Sequence, residues 1–128
     1  MQTEDINKVF AEADCLHDKQ AVEQALDAMA SAMHDKLQHK NPLMLCVVTG
    51  GIIPMGHLMT RLSFPLQIDY IHATRYQGET SGGALEWKVK PSFDLKDRVV
   101  VIVDDVLDKG ITLAELIKYC QQQGAAEV

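Results

Sequence analysis

The sequence predicts an α/β fold: a Rossmann-like core with a mainly parallel central sheet flanked by helices, preceded by N-terminal helices. Three observations carry this. Two short runs, Leu43–Val48 (LMLCVV) and Val99–Val103 (VVVIV), are almost wholly apolar, as in strands buried on both faces of a parallel sheet. Segments of helical apolar period separate and follow such runs, the order that builds strand–helix–strand units. Each run also ends in Gly or Asp just before the next helical segment, where open α/β sheets place their ligand loops.

The elements follow in order. Ile6, Val9, Phe10 and Ala13 lie at i, i+3, i+4 and i+7, one stripe of a short helix. Asp18 is positioned to cap a longer one, whose apolar face carries Val22, Ala25, Leu26, Met29, Ala32, Met33 and Leu37. Asn41-Pro42 ends it, since Pro disfavours the α conformation in the residue before it. After the strand at 43–48, Thr49-Gly50-Gly51 makes a tight loop. Pro54 then suits the first turn of a helix burying Leu58, Met59 and Leu62. Leu66–Tyr76 reads as a strand with Ile68, Tyr70 and His72 on one side and Asp69, Ile71 and Ala73 on the other. QGETSGG (77–83) reads as a flexible loop, and Ala84–Val89 as a further strand. Pro91–Arg98 reads as a polar turn before the strand at 99–103. A last helix sets Leu113, Leu116, Ile117 and Cys120 on one stripe, with Gly124 as its C′ residue. Ala125–Val128 starts another strand, an unfinished sheet edge that invites pairing with a second chain.

Composition bounds the function. At 128 residues the chain suits one domain, able to bury roughly two-thirds of its unfolded surface. Hydrophobic residues at 47% and charged ones at 23% match ordinary globular usage and exclude a disordered or collagen-like chain. A formal net charge of −6 argues against general binding to nucleic acid or to a membrane surface, both of which need a basic face. The most apolar stretch, 42–54, is too short to span a bilayer, and the acidic N-terminus is no signal peptide. Cys15, Cys46 and Cys120 fit neither a disulfide framework nor a zinc site, and read as buried free thiols in a reducing cytoplasm. The five histidines lack metal-ligand spacing; Met29, Met33, Met55 and Met59 read as core, and Trp87 as a packed strand aromatic.

The chemistry concentrates in residues 99–112, VVVIVDDVLDKGIT. A buried strand delivers Asp104 and Asp105 at its carboxyl end, and Asp108-Lys109-Gly110-Ile111-Thr112 then turns into a helix N-terminus. Such a turn offers free N–H groups and the positive end of the helix dipole to a phosphate. Gly110 permits close approach, and the Thr112 hydroxyl can cap the helix or bond a phosphate oxygen. Acids beside a phosphate cradle suit a ligand with both hydroxyls and phosphate, a sugar phosphate. No Walker-type GxxxxGK[ST] and no GxGxxG occurs.

VVVIVDDVLDKGIT resembles the phosphoribosyl-pyrophosphate (PRPP) signature of type I phosphoribosyltransferases. CVVTGGIIPMG (46–56) is similar to their pyrophosphate loop, and IDYIHATRYQGETSGG (68–83) to the strand and catalytic loop of the hypoxanthine-guanine branch. The likeness is closest to bacterial hypoxanthine-guanine phosphoribosyltransferases and extends from about Leu43 to Val128. It implies a type I phosphoribosyltransferase core at 42–128 behind N-terminal helices at 1–41. It implies purine salvage chemistry: hypoxanthine or guanine plus PRPP giving IMP or GMP and pyrophosphate, with Mg2+. A non-catalytic PRPP- or nucleotide-binding relative, regulatory or truncated, is the alternative.

Position by position, the resemblance implies that Asp104 and Asp105 bond the ribose hydroxyls and hold magnesium indirectly. The PRPP segment runs through Val106 and Leu107, and Lys109, Gly110, Ile111 and Thr112 wrap the 5′-phosphate, mainly by backbone N–H. Asp108 becomes the general acid/base at purine N7. Thr49, Gly50 and Gly51 receive pyrophosphate in a loop where relatives often carry a non-proline cis peptide. Arg75 and Tyr76 begin the mobile lid. Partners implied are PRPP, a 6-oxopurine base and further copies of the chain in a dimer or tetramer. The sequence departs from the family at three points: Lys109 replaces the usual Thr, Ile111 the usual Lys or Arg, and Thr49 a Lys found in some relatives. The positions that contact the base in the family lie beyond Val128, so the resemblance implies a domain truncated at its C-terminus.

Overall fold

The computed structural model describes residues 2–75, 85–107 and 111–128. The order is α1 (Thr3–Glu12), α2 (Lys19–Leu37), β1 (Leu43–Val47), α3 (Ile52–Met59), β2 (Gln67–Arg75), β3 (Leu85–Val89), β4 (Val100–Val103) and α4 (Ile111–Gln122). One sheet of order β3-β2-β1-β4 forms the middle layer. β1 pairs in parallel with β2 and β4, and β3 runs antiparallel to β2. This is the expected α/β class with a mainly parallel sheet.

β1 is central, and all five of its residues are buried. Its alternation divides the core. Leu43, Leu45 and Val47 pack with Ile71, Leu95, Val100, Leu116 and Cys120 on the α4 side. Met44 and Cys46 pack with Ala30, Met55, Leu58 and Val103 on the α2–α3 side. A strand covered on both faces cannot alternate polar and apolar residues, which is why LMLCV does not.

Local chemistry sets the ends of the helices. The Asp18 carboxylate accepts the Ala21 N–H at 2.8 Å and caps α2. Pro54 is tolerated in the first turn of α3, where no intrahelical acceptor faces its missing N–H. Gly124, at φ 90°, closes α4: its own N–H bonds Gln121 O at 3.0 Å and Ala125 N–H bonds Cys120 O at 3.1 Å. The chain then lies beside β4, where Val99 bridges Glu127 in parallel and Val100 N–H donates to Glu127 O at 2.8 Å. This is the start of the strand expected at 125–128.

Several expectations shift. α1 forms but buries nothing, so Phe10 stays 78% exposed. On α2 the packed stripe is Leu26, Ala30 and Met33, while Val22 and Met29 stay exposed. That stripe is rotated from the expected one and brings Ala30 against Met44, Cys46 and Met55. Met55 joins the core as expected, but Met29 does not. Cys46 and Cys120 are buried as expected, whereas Cys15 is exposed in the link between α1 and α2. Trp87 packs on Tyr119 of α4, ring centroids 4.5 Å apart. The 91–98 turn is less solvated than its composition suggests: Leu95 is buried, and the Arg98 guanidinium donates to Asn41 O at 3.1 Å.

Candidate functional site

Because β1, β2 and β4 are parallel, their carboxyl ends share one edge of the sheet. That edge is where side chains and loop amides can surround a ligand without breaking a strand ladder. Thr49-Gly50-Gly51 follows β1 here, and Asp104-Asp105 follows β4. β2 runs past the end of β1 and finishes at Arg75 on the same edge, and α4 begins there at Ile111.

The two central segments touch. A Cβ placed on Gly50 would stand 2.5 Å from Asp105 Oδ1, and one on Gly51 would stand 2.6 Å from Val103 O and 2.7 Å from Val47 O. Neither glycine has a positive φ, so close approach is what requires them. Gly51 is buried in the crook between β1 and β4, and its N–H donates to Val47 O at 2.8 Å. Gly50 leaves room for the Asp105 carboxylate above it. The Val48–Thr49 peptide is cis, the feature that the family resemblance implied for this loop.

The acidic pair is exposed, as are Val106 and Leu107, so all four side chains are open to a ligand. The Asp105 N–H donates to Asp104 Oδ1 at 2.8 Å. Partial desolvation at the strand end raises the Asp104 carboxyl above its ordinary range. The Asp105 N–H lowers it, and the Asp105 side chain and charge raise it again, leaving a net upward shift. The same charge reaches Cys46 on β1, whose thiol is pushed up first by burial and then by Asp104. A rim holding two adjacent like charges gains from a cation or from hydroxyl donors. Among the described residues no three His, Cys, Asp or Glu side chains converge as a metal cage.

Of the remaining predicted site residues, Thr112 is half-buried in the first turn of α4. Asp108, Lys109 and Gly110 lie outside the described residues, as does Tyr76. Open cavities lie off this rim. One of about 460 Å³ is lined by Cys46, Val48, Met55, Ile68, Tyr70 and the buried acid Asp69. Another of about 390 Å³ lies beside α2, with Arg61 bound to Asp27 at 2.8 Å in its wall. Neither contains the acidic pair. Sequence reasoning passed over Asp69, the one buried charged side chain among the described residues. Its signal was an acid on the same strand face as Ile71 and Ala73.

A mainly parallel sheet with a Gly-Gly loop and an acidic pair in contact at its carboxyl edge defines an α/β domain of the kind whose ligands lie outside the strand ends. Comparison with known proteins gives the family. Residues 12–128 match the phosphoribosyl transferase domain. The chain therefore belongs to the type I phosphoribosyltransferase family. It is similar to the hypoxanthine-guanine-xanthine phosphoribosyltransferase of Tritrichomonas foetus, with 28% identity over 88% of this chain and 62% of that protein. A hypoxanthine-guanine phosphoribosyltransferase of Streptococcus pneumoniae is also 28% identical, over 100% of this chain and 68% of the relative. Among solved structures, a Staphylococcus aureus hypoxanthine phosphoribosyltransferase superposes with a TM-score of 0.83 at 20% identity, covering 89% of this chain and 62% of that one. A purine phosphoribosyltransferase from Pyrococcus horikoshii gives 0.70 at 33% identity, covering 83% and 68%. The chain thus spans 62% to 68% of the length of these relatives. No helix among the described residues is long and apolar enough to cross a membrane.

Proposed function

We propose that this chain carries the PRPP-binding part of a purine salvage phosphoribosyltransferase, which joins hypoxanthine or guanine to ribose 5-phosphate and releases pyrophosphate. The contact of Gly50 with Asp105 supports the reading, because it brings the Thr49-Gly50-Gly51 loop and the Asp104-Asp105 pair to one edge. PRPP presents its hydroxyls and its pyrophosphate on one sugar ring, and so needs both features side by side.

On this reading Asp104 and Asp105 accept hydrogen bonds from the ribose hydroxyls and fix the ring. Amides from Lys109 to Thr112 hold the 5′-phosphate, aided by the N-terminal end of α4. Thr49, Gly50 and Gly51 receive the pyrophosphate. Its departure leaves oxocarbenium character at C1 and gathers negative charge at the loop, where oriented N–H groups stabilise it. Asp104 and Asp105 would hold magnesium indirectly, through the ribose hydroxyls or water, and the ion would supply further positive charge to the leaving group. Asp108 exchanges a proton at purine N7, a role worth about 10²–10⁴-fold in rate. The segment from Arg75 and Tyr76 excludes water that would otherwise hydrolyse PRPP. Assembly into a dimer or tetramer and a cytoplasmic location belong to the same proposal.

The test is calorimetric binding of magnesium PRPP to the chain, followed by nucleotide formation with hypoxanthine, guanine, xanthine and adenine in turn. Binding with turnover on a 6-oxopurine supports the proposal, and Asp108→Asn should then keep binding while turnover collapses. Absence of binding sinks the proposal. Binding without turnover on any base favours the second reading, a non-catalytic PRPP or nucleotide binder.

A further inference from the structure

Asp69 is 7% exposed, and among the described residues no salt bridge reaches its carboxylate. A buried carboxylate needs strong donors, and this one takes three from the backbone. Oδ1 accepts the Tyr70 N–H at 2.8 Å, while Oδ2 accepts Ser92 N–H at 2.6 Å and Phe93 N–H at 3.0 Å. The first bond is local to β2. The other two fasten the segment that leaves β3.

That segment matters because of where it goes. β3 is at one edge of the sheet and β4 lies beyond β1 at the other end of the order β3-β2-β1-β4, so residues 90–99 must cross the ends of β2 and β1. Asp69 clamps the start of the crossing, and Leu95, 3% exposed, plugs into the α4-side core midway. Arg98 then donates to Asn41 O just before β1, and β4 begins. Leu45 of β1 pairs with Asp69 on one side and with Ile102 on the other. The clamp and the last turn of β4 therefore share one row of the sheet, and Asp104 follows Ile102 by two residues.

We infer that Asp69 is a positioning residue for the acidic strand end: by anchoring the crossing at Ser92 and Phe93 it sets where β4 presents Asp104 and Asp105 against Gly50. A carboxylate suits this better than an amide, since a side chain with two accepting oxygens can take donors from two segments at once. The inference rests on the proposed reading only in that PRPP is the ligand used to sense the rim.

The experiment compares the chain with Asp69→Asn, which keeps one accepting oxygen, and Asp69→Thr, which suits a strand but has a shorter reach. Asp18→Ala, a destabilising change at the exposed N-terminal cap of α2, is the control. Amide resonances of Gly50, Gly51, Asp104 and Asp105 are recorded for each folded variant, together with affinity for magnesium PRPP. The expected result is movement of those amides in both Asp69 variants, larger for Thr, and none in Asp18→Ala. Affinity should fall about tenfold in Asp69→Asn, the usual scale for removing a partner that orients a ligand-binding group. Unmoved amides with unchanged affinity, in variants that only melt earlier, overturn the positioning role. If the parent chain binds no PRPP, the functional reading fails while the amide shifts still decide the role of Asp69.

Discussion

At Gly50 and Gly51 the cost of a single methyl group separates two kinds of damage. A Cβ at 51 meets backbone oxygens of β1 and β4, which cannot swing aside, whereas one at 50 meets a side-chain carboxylate that can. Gly51→Ala should therefore destabilise the fold by about 1–3 kcal/mol, the range for overpacking, measured by urea unfolding. Gly50→Ala should melt near the parent temperature but weaken PRPP binding, because Asp105 is the group displaced. Asp104 works in the opposite sense. Its carboxyl titrates above its unfolded value, so in the interval between the two the folded state holds more protons than the unfolded state. Stability falls across that interval and stays reduced above it. Asp104→Asn should thus raise the melting temperature of the ligand-free chain at neutral pH while abolishing PRPP binding. A drop in melting temperature at pH 7 would contradict this. On the proposed reading, function and stability oppose each other at this residue, as expected where like charges wait for a ligand.

The helices differ in what holds them. α2 has a side-chain cap and one buried residue, Ala30, so its N-terminus depends on Asp18 more than on packing. Asp18→Ala should cost about 1 kcal/mol in thermal or urea unfolding, the usual value of such a cap. α1 buries nothing, and its amides should exchange with solvent well before those of β1, a comparison hydrogen exchange makes directly. The elements best read from sequence were those with one-sided chemistry: an apolar run for β1, a capping Asp for α2, a terminal Gly for α4. The stripe on α2 was misjudged because period alone does not say which of several adjacent apolar rows meets the sheet. Asp69 was missed as a clamp for a related reason, since its partners Ser92 and Phe93 are remote in sequence and contribute only backbone N–H, which carries no side-chain signal.

Across the whole molecule, two apolar layers sandwich β1, and α4 supplies the cover on one side through Leu116 and Cys120. Leu116→Ala should cost about 2–5 kcal/mol by chemical denaturation, with the site's segments loosening together because β1 and β4 lie beneath that helix. Phe10→Ala, at a residue 78% exposed, should change stability by less than about 0.5 kcal/mol. The fold class, the strand-end loops and the acidic pair were legible in the linear chain, because apolar period, Gly and Asp act through their immediate neighbours. The family was legible too, because the stretch that carries the resemblance is continuous. Contact between Gly50 and Asp105, the rotation of α2 and the grip of Asp69 on the crossing were not. Each joins segments distant in sequence, and distance of that kind is settled by how layers pack and in what order strands pair.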